Sequence, residues 1–275
     1  MPKEKSAQLL EIFSSLQGEG SYAGHPMTFV RLQGCHVGCT WCDTAHSWTK
    51  TTPKARVESP PRSRRFELFE NPTSIVQLNR FLESFSDEII SITGGEPLEQ
   101  ADFLQHWLSS PSFVRRGLGE GRSTPPSPPL IPFGDFAPGR VILLETAGIH
   151  TTALKKVLPW IDIVSMDFKL PSSTGLKPFW KEHAAFLQTA VDAKKEVYVK
   201  IVITKETKPD EIDLSAQIIA KTNPKIPVFC QPASATTDAI LGPSIDLLKE
   251  YQHRLLKQCA RVEVRGQLHK EWNLL

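Results

Sequence analysis

Seven short apolar, β-branched runs punctuate the chain: MTFVRLQ (27–33), EIISIT (88–93), RVILLET (140–146), IDIVSMD (161–167), EVYVKIVI (196–203), IPVFCQ (226–231) and RVEVRG (261–266). Runs this short and this apolar suit strands buried inside a parallel sheet. Segments of helical period lie between them. After Asn71-Pro72, Thr73 stands as an N-cap, and Ile75, Leu78, Leu82 and Phe85 follow at three- and four-residue steps along one face. The stretches from Pro209 to Lys221 and from Pro243 to Gln258 behave the same way. Repeated strand–helix alternation implies right-handed crossovers, and so predicts an α/β fold: an open or partial (β/α) barrel of about six or seven mostly parallel strands. In such folds the loops leaving the carboxyl ends of strands line the active site.

Two stretches break the pattern. Residues 49–72 carry four prolines and a basic run, and residues 109–139 include STPPSPPLIPFGDFAPG, with prolines too dense for helix or central strand. Both are expected to be surface insertions in a single domain spanning residues 1–275, a length that one α/β core can serve. The Arg62, Arg64 and Arg65 cluster in the first insertion reads as a solvated loop before it reads as an RNA contact.

Charge and cysteine usage narrow the classes of partner. Lys+Arg 32 against Asp+Glu 30 leaves a net charge of +2, too balanced for a phosphate-tracking surface, so no direct nucleic-acid partner is expected. The opening MPKEKSAQLL lacks an apolar leader core and no apolar run reaches about 18 residues, which predicts a cytoplasmic chain with no membrane partner. Five cysteines is an odd number, and three are crowded together, so a disulfide framework is not expected. Cys230 and Cys259, in apolar surroundings, read as core residues.

The crowded three, Cys35, Cys39 and Cys42, sit in GCHVGCTWCDT (34–44) with the spacing C-x3-C-x2-C, directly after the first apolar strand. A structural zinc site takes four protein ligands, and only His36 and His46 are nearby candidates for a fourth. A [4Fe–4S] cluster held by three thiolates instead leaves one iron open to an exogenous ligand. Other strand ends carry further chemistry. SITGGEP (91–97) ends in a Gly-Gly turn that lets backbone approach a ligand closely, although a bare glycine turn before a helix would look the same. LLETAG (143–148) offers Glu145 and Thr146, either for sugar hydroxyls or as a helix N-terminal carboxylate. Ser165, Asp167 and Lys169 alternate along SMDFKLPSS (165–173), and Gln231 in CQPAS (230–234) can donate and accept at a base edge.

With Trp41 just before its last cysteine, the C-x3-C-x2-C loop resembles the signature of radical S-adenosylmethionine (SAM) enzymes, and SITGGEP is similar to that group's second motif. The preceding EIFSSLQGEGSYAGHPMTFVRLQGC (11–35), followed by CDT (42–44), closely resembles the 7-carboxy-7-deazaguanine synthase family. The resemblance is dense over the first fifty residues, continues at the strand ends, and reaches QLHKEWNLL (267–275) only weakly. It implies a radical SAM fold and a [4Fe–4S] cluster on Cys35, Cys39 and Cys42. It implies Mg2+ at Thr44, and Leu16, Gln17, Gly18, Arg31 and Thr93 around the substrate. For SAM it implies Trp41, Asp43 and Gly95, and more loosely Glu145, Lys169 and Gln231. The implied reaction is the ring contraction of 6-carboxy-5,6,7,8-tetrahydropterin to 7-carboxy-7-deazaguanine with loss of ammonia, in deazapurine and queuosine biosynthesis. The implied partners are a small pterin, an electron donor such as flavodoxin or ferredoxin, and a second copy in a homodimer. Two rival readings are a glycyl-radical enzyme activating enzyme, which shares the cysteine spacing, and a zinc-binding RNA-interaction module built on the arginine-rich segment.

Overall fold

The computed structural model describes residues 5–111, 113, 140–233 and 242–268. Its strands are β1 (Ser6–Ala7), β2 (Leu9–Leu16), β3 (Pro26–Leu32), β4 (Lys54–Glu58), β5 (Phe66–Glu70), β6 (Thr73–Ser74), β7 (Ile89–Gly94), β8 (Val141–Thr146), β9 (Ile163–Phe168), β10 (Glu196–Ile203), β11 (Val228–Pro232) and β12 (Val262–Val264). Its helices are α1 (Ile75–Leu82), α2 (Ala101–Leu108), α3 (Thr151–Val157), α4 (Pro171–Thr174), α5 (Trp180–Asp192), α6 (Pro209–Thr222) and α7 (Ile245–Leu256). Ten strands form one sheet in the order β12-β11-β10-β9-β8-β7-β3-β2-β4-β5, and the short β1 and β6 pair separately. The seven apolar runs form β3 and β7 to β12, all mutually parallel along the sheet. The edges do not pair with each other, so the sheet is open rather than a closed barrel.

Alternation along these strands decides where the chemistry sits. Ile90 and Ile92 of β7, Ile142 and Leu144 of β8, Val164 and Met166 of β9, and Val199 and Ile201 of β10 share the main core with α2, α3, α5 and α6. The residues between them face the other way, and there the sequence changes from apolar to polar toward the carboxyl ends: Ile89, Ser91, Thr93 on β7; Val141, Leu143, Glu145 on β8; Ile163, Ser165, Asp167 on β9. Tyr198 then Lys200 follow the same course on β10. The apolar half of this face packs as a second cluster with Phe13, Met27, Phe29 and Phe229. The polar half is left for a ligand.

Three elements differ from expectation. LLEIFSSL forms β2, antiparallel to β3, where the sequence reading assigned no element. Within 49–72, β4 and β5 form an antiparallel hairpin whose β4 joins β2, so this segment extends the sheet rather than standing on its surface. Its prolines, Pro53, Pro60, Pro61 and Pro72, lie before, between and after the two strands and interrupt neither, which is why proline density misled. The cap of α1 is Ser74 rather than Thr73: its hydroxyl accepts from the Gln77 amide at 3.3 Å and the Gln77 side chain accepts from the Ser74 amide at 2.9 Å. The second expected insertion, 109–139, lies almost wholly outside the described residues. Among the described residues no helix is long and apolar enough to cross a membrane.

The hairpin is tied down by charge. Asp87, buried before β7, accepts from the Ser14 hydroxyl (2.6 Å), the Thr28 hydroxyl (2.9 Å) and the Arg62 guanidinium (2.6 Å). Glu58, also buried, accepts from the Ser14, Arg62 and Arg64 amides at 2.7 to 2.9 Å. Arg62 itself stays largely exposed, as do Arg64 and Arg65, and only its guanidinium reaches in to the buried Asp87. Asp87→Ala should strand two buried hydroxyls and lower stability by about 2–3 kcal/mol in chemical denaturation; a loss under about 0.5 kcal/mol would show that the network holds nothing in place.

Candidate active site

Every residue that the resemblance assigns to the site lines one cavity of about 430 Å³ over the polar half of the sheet, whereas Ser165 is buried below it and does not line it. Cys35, Cys39, Cys42, Trp41, Asp43 and Thr44 form one wall, Leu16, Gln17, Gly18 and Arg31 another, and Thr93, Gly95, Glu145, Lys169 and Gln231 come from the ends of β7, β8, β9 and β11.

The cysteine wall is positioned by main chain. β3 and β7 pair in register up to Leu32 and Gly94, so the cysteine loop and the Gly-Gly turn leave the sheet side by side. The Gly95 amide donates to Leu32 O (3.2 Å) and the Glu96 amide to Gly34 O (2.8 Å). A Cβ on Gly95 would lie 2.3 Å from Gly34 O and 2.6 Å from Cys35 Cβ, so no other residue fits there. Glu96, 1% exposed, continues the link: its carboxylate accepts from the Thr146 hydroxyl (2.8 Å) and the Ala147 amide (2.7 Å) beyond β8. Burial raises the Glu96 pKa against the pull of those donors.

The three thiols do not converge as ligands of one ion. Among the described residues the only His, Cys, Asp or Glu trio with ligand atoms mutually within 4.8 Å is His36, Glu99 and His150, whereas thiolates on one tetrahedral zinc sit roughly 3.8 Å apart. His36 is turned to the Glu99 carboxylate and His46 is exposed. A larger inorganic body with its own sulfides suits three separated thiols on a cavity wall. Burial raises the Cys35 and Cys39 pKa values. Cys42 Sγ accepts from the Trp48 indole at 3.3 Å and lies 3.6 Å from the Thr44 hydroxyl. Cys230 and Cys259 belong to the main core, and burial pushes their thiols up to about 12 and about 11.

Opposite lies a set of polar side chains that hold one another. The Glu145 carboxylate, expected to face a ribose, accepts from Gln17 Nε2 (2.7 Å), Ser91 Oγ (3.0 Å) and Thr93 Oγ1 (3.2 Å). Arg31 donates through Nε to Glu11 (3.0 Å), while its terminal amino groups make no hydrogen bond among the described residues. Lys169 donates to Asp167 (2.9 Å) and stands 4.7 Å over the Trp41 ring.

Sequence reasoning missed the centre of this set. Lys200, 4% exposed, pairs with Glu19 at 2.5 Å and with Asp167 at 3.3 Å. Glu19 also accepts from Gln231 (2.9 Å) and from Gln267 (2.6 Å), which reaches Asp43 at 3.2 Å. Burial would raise the Glu19 carboxyl, but the Lys200 ammonium outweighs it and holds the pKa at about 2. Burial likewise opposes the charge on Lys200 and Lys169, and the facing Asp167 carboxylate, with Glu19 at Lys200, carries both above the ordinary lysine value. The signal was present: Lys200 is the only charge in EVYVKIVI after its opening Glu196 and lies directly opposite Asp167 in the β9/β10 register.

No family model matches the chain. It is 33% identical over 270 residues to the 7-carboxy-7-deazaguanine synthase of Geobacter sulfurreducens, covering 96% of each chain. Its fold is similar to the crystal structure of QueE from Escherichia coli, with a TM-score of 0.54 and 20% identity over 94% of each chain. It is also similar to SuiB of Streptococcus suis bound to S-adenosylmethionine, with a TM-score of 0.50 and 13% identity over 85% of this chain and 48% of the other.

The packing at Gly95 yields a paired test. Gly95→Ala should cost about 1–3 kcal/mol through backbone overlap and should lower the iron retained after reconstitution. Gly38→Ala, with a left-handed φ of 64° but nothing within 4 Å of its added Cβ, should cost about 1 kcal/mol from backbone strain alone. Equal effects in both variants would contradict the contact as the determinant.

Proposed function

The chain belongs to the 7-carboxy-7-deazaguanine synthase family, and from that premise we propose that it converts 6-carboxy-5,6,7,8-tetrahydropterin to 7-carboxy-7-deazaguanine with loss of ammonia. The observation that carries the reading is a single cavity shared by three separated thiols, a glycine turn with no room for side chains, and a polar wall suited to a flat heterocycle.

Cys35, Cys39 and Cys42 would hold a [4Fe–4S] cluster as its three protein ligands, and Gly95 would leave room for SAM beside it. When bound, the cluster and SAM supply hydrogen-atom abstraction, with the electron coming from a flavodoxin- or ferredoxin-type donor. The chain's own residues do the rest. Trp41 and Lys169 present an indole face and an ammonium beside the cluster wall, with Asp43 next to it. Arg31, steadied at Nε by Glu11, offers its terminal amino groups to the substrate carboxylate.

Glu145 acts by positioning: it fixes the Gln17 amide and the Thr93 hydroxyl, and those two, with the Leu16 and Gly18 backbone, meet the donor–acceptor edge of the pterin. Gln231 spends its amino group on Glu19, which leaves its carbonyl oxygen for the ligand. Thr44 would supply a neutral oxygen to Mg2+. The Glu19–Lys200–Asp167–Lys169 group keeps these charges fixed at neutral pH, so no reorganisation is needed when substrate enters.

Anaerobic incubation of the reduced, reconstituted enzyme with SAM, Mg2+ and the pterin should give 7-carboxy-7-deazaguanine and ammonia by mass spectrometry; SAM cleavage with the pterin untouched would refute the substrate. Arg31→Lys keeps the charge and loses the fork, so KM for the pterin should rise about tenfold, the worth of one charge-assisted hydrogen bond, with SAM affinity unchanged. An unaltered KM would remove Arg31 from the substrate site. Thr44→Ala should weaken activation by Mg2+ while leaving the iron content intact, and an unchanged Mg2+ dependence would take it out of the metal site.

A further inference from the structure

Outside the cavity, three side chains from three different loops meet. His36 lies between the first two cysteines, Glu99 follows the Gly-Gly turn by four residues, and His150 follows the Glu145 segment and precedes α3. Their ligand atoms all lie within 4.8 Å of one another, and none of the three lines the cavity. The His36 and His150 rings stand 5.0 Å apart.

Hydrogen bonding within the trio is incomplete in a way that points to an ion. Glu99 Oε1 accepts from the His36 amide at 2.7 Å and faces His36 Nδ1, while Oε2 makes no hydrogen bond among the described residues. His150 Nε2 is shielded from solvent and has no hydrogen-bond partner. A shielded imidazole nitrogen without a partner carries an unrecovered desolvation cost, which a metal bond removes. Burial, and the facing His36, hold the His150 pKa below its ordinary value.

We propose that His36, Glu99 and His150 form a second metal site, for a single borderline divalent ion of the Zn2+ or Co2+ class. Two imidazoles and one carboxylate match that class and leave a coordination position for water, whereas Mg2+ and Ca2+ prefer all-oxygen sites. Ligand atoms around such an ion sit roughly 3.4 Å apart, so side-chain shifts on the order of an ångström close the site. The ion would join the cysteine loop, the turn after Gly95 and the segment after β8. Glu96 already bridges the last two from the cavity side. The bound ion would thus clip the cysteine loop to them from outside. The site stands on these side chains alone and does not depend on the substrate assigned above.

The test uses reconstituted holoenzyme with its cluster oxidised, and therefore diamagnetic, with SAM bound to cover the open iron and excess Mg2+ to fill oxygen sites. Co2+ is added anaerobically, the protein is desalted, and cobalt and iron are counted alongside electron paramagnetic resonance. Wild type should retain one Co2+ per chain, with a high-spin Co2+ signal and a raised melting temperature. His150→Ala and Glu99→Gln should each lose that equivalent, its signal and the thermal shift, while keeping the full iron content. If Glu99→Gln sheds iron, His150→Ala, remote from the cysteines in sequence, decides. Failure of wild type to retain cobalt, or an equivalent that survives either substitution in iron-replete protein, would overturn the site.

Discussion

The contact on which the site depends is the absence of a side chain at Gly95. β3 and β7 are neighbours in a parallel sheet, so the loops that leave them would in any case emerge together. What turns proximity into a fixed wall is that the backbone of the Gly-Gly turn lies against Gly34 and Cys35, at a distance where a Cβ would overlap main chain. Two amide hydrogen bonds, from Gly95 to Leu32 and from Glu96 to Gly34, hold the start of the cysteine loop without help from any side chain. The buried Glu96 carboxylate then passes the constraint to the end of β8. Three strand ends are thereby set relative to one another before any ligand arrives.

Across the cavity the constraint is electrostatic. Removing Glu19, Asp167, Lys169 and Lys200 from water carries a desolvation cost that apolar residues of similar volume would avoid, so stability alone does not account for them. Ion pairs join all four, and three separate parts of the chain supply them: the loop after β2, the β9 end and β10. A polar wall whose members are mutually hydrogen-bonded keeps its shape, which a small heterocycle with a fixed donor–acceptor edge requires. Charges of both signs, Glu19 and Asp167 with Lys169 and Lys200, stand together at one end of the sheet.

Much of this was legible in the sequence, for physical reasons that vary by element. The seven parallel strands declared themselves because burial on both faces leaves short apolar runs, and the cysteine spacing and Gly-Gly turn stood out because their chemistry tolerates few substitutes. β2 was hidden because LLEIFSSL does not alternate, Ile12, Phe13 and Ser14 all being buried in succession, and because the motif beside it drew attention to its loop. The β4/β5 hairpin was hidden by prolines whose places relative to the strands only the structure reveals. The roles of Glu145 and Lys200 depend on cross-strand partners: Gln17 is 128 residues from Glu145, and Glu19 is 181 from Lys200, separations over which no local pattern speaks. The His36, Glu99 and His150 trio escaped for the same reason, each member being unremarkable within its own loop.

The central claim is that three thiols on the cysteine wall hold a cluster with one iron open toward the cavity. Mössbauer spectroscopy of the 57Fe-reconstituted protein, with and without SAM, tests it most directly. The account predicts three irons of one kind and a fourth whose isomer shift alone increases when SAM is added, because only that iron gains oxygen and nitrogen ligands. Four irons that respond alike, or that ignore SAM altogether, would contradict it.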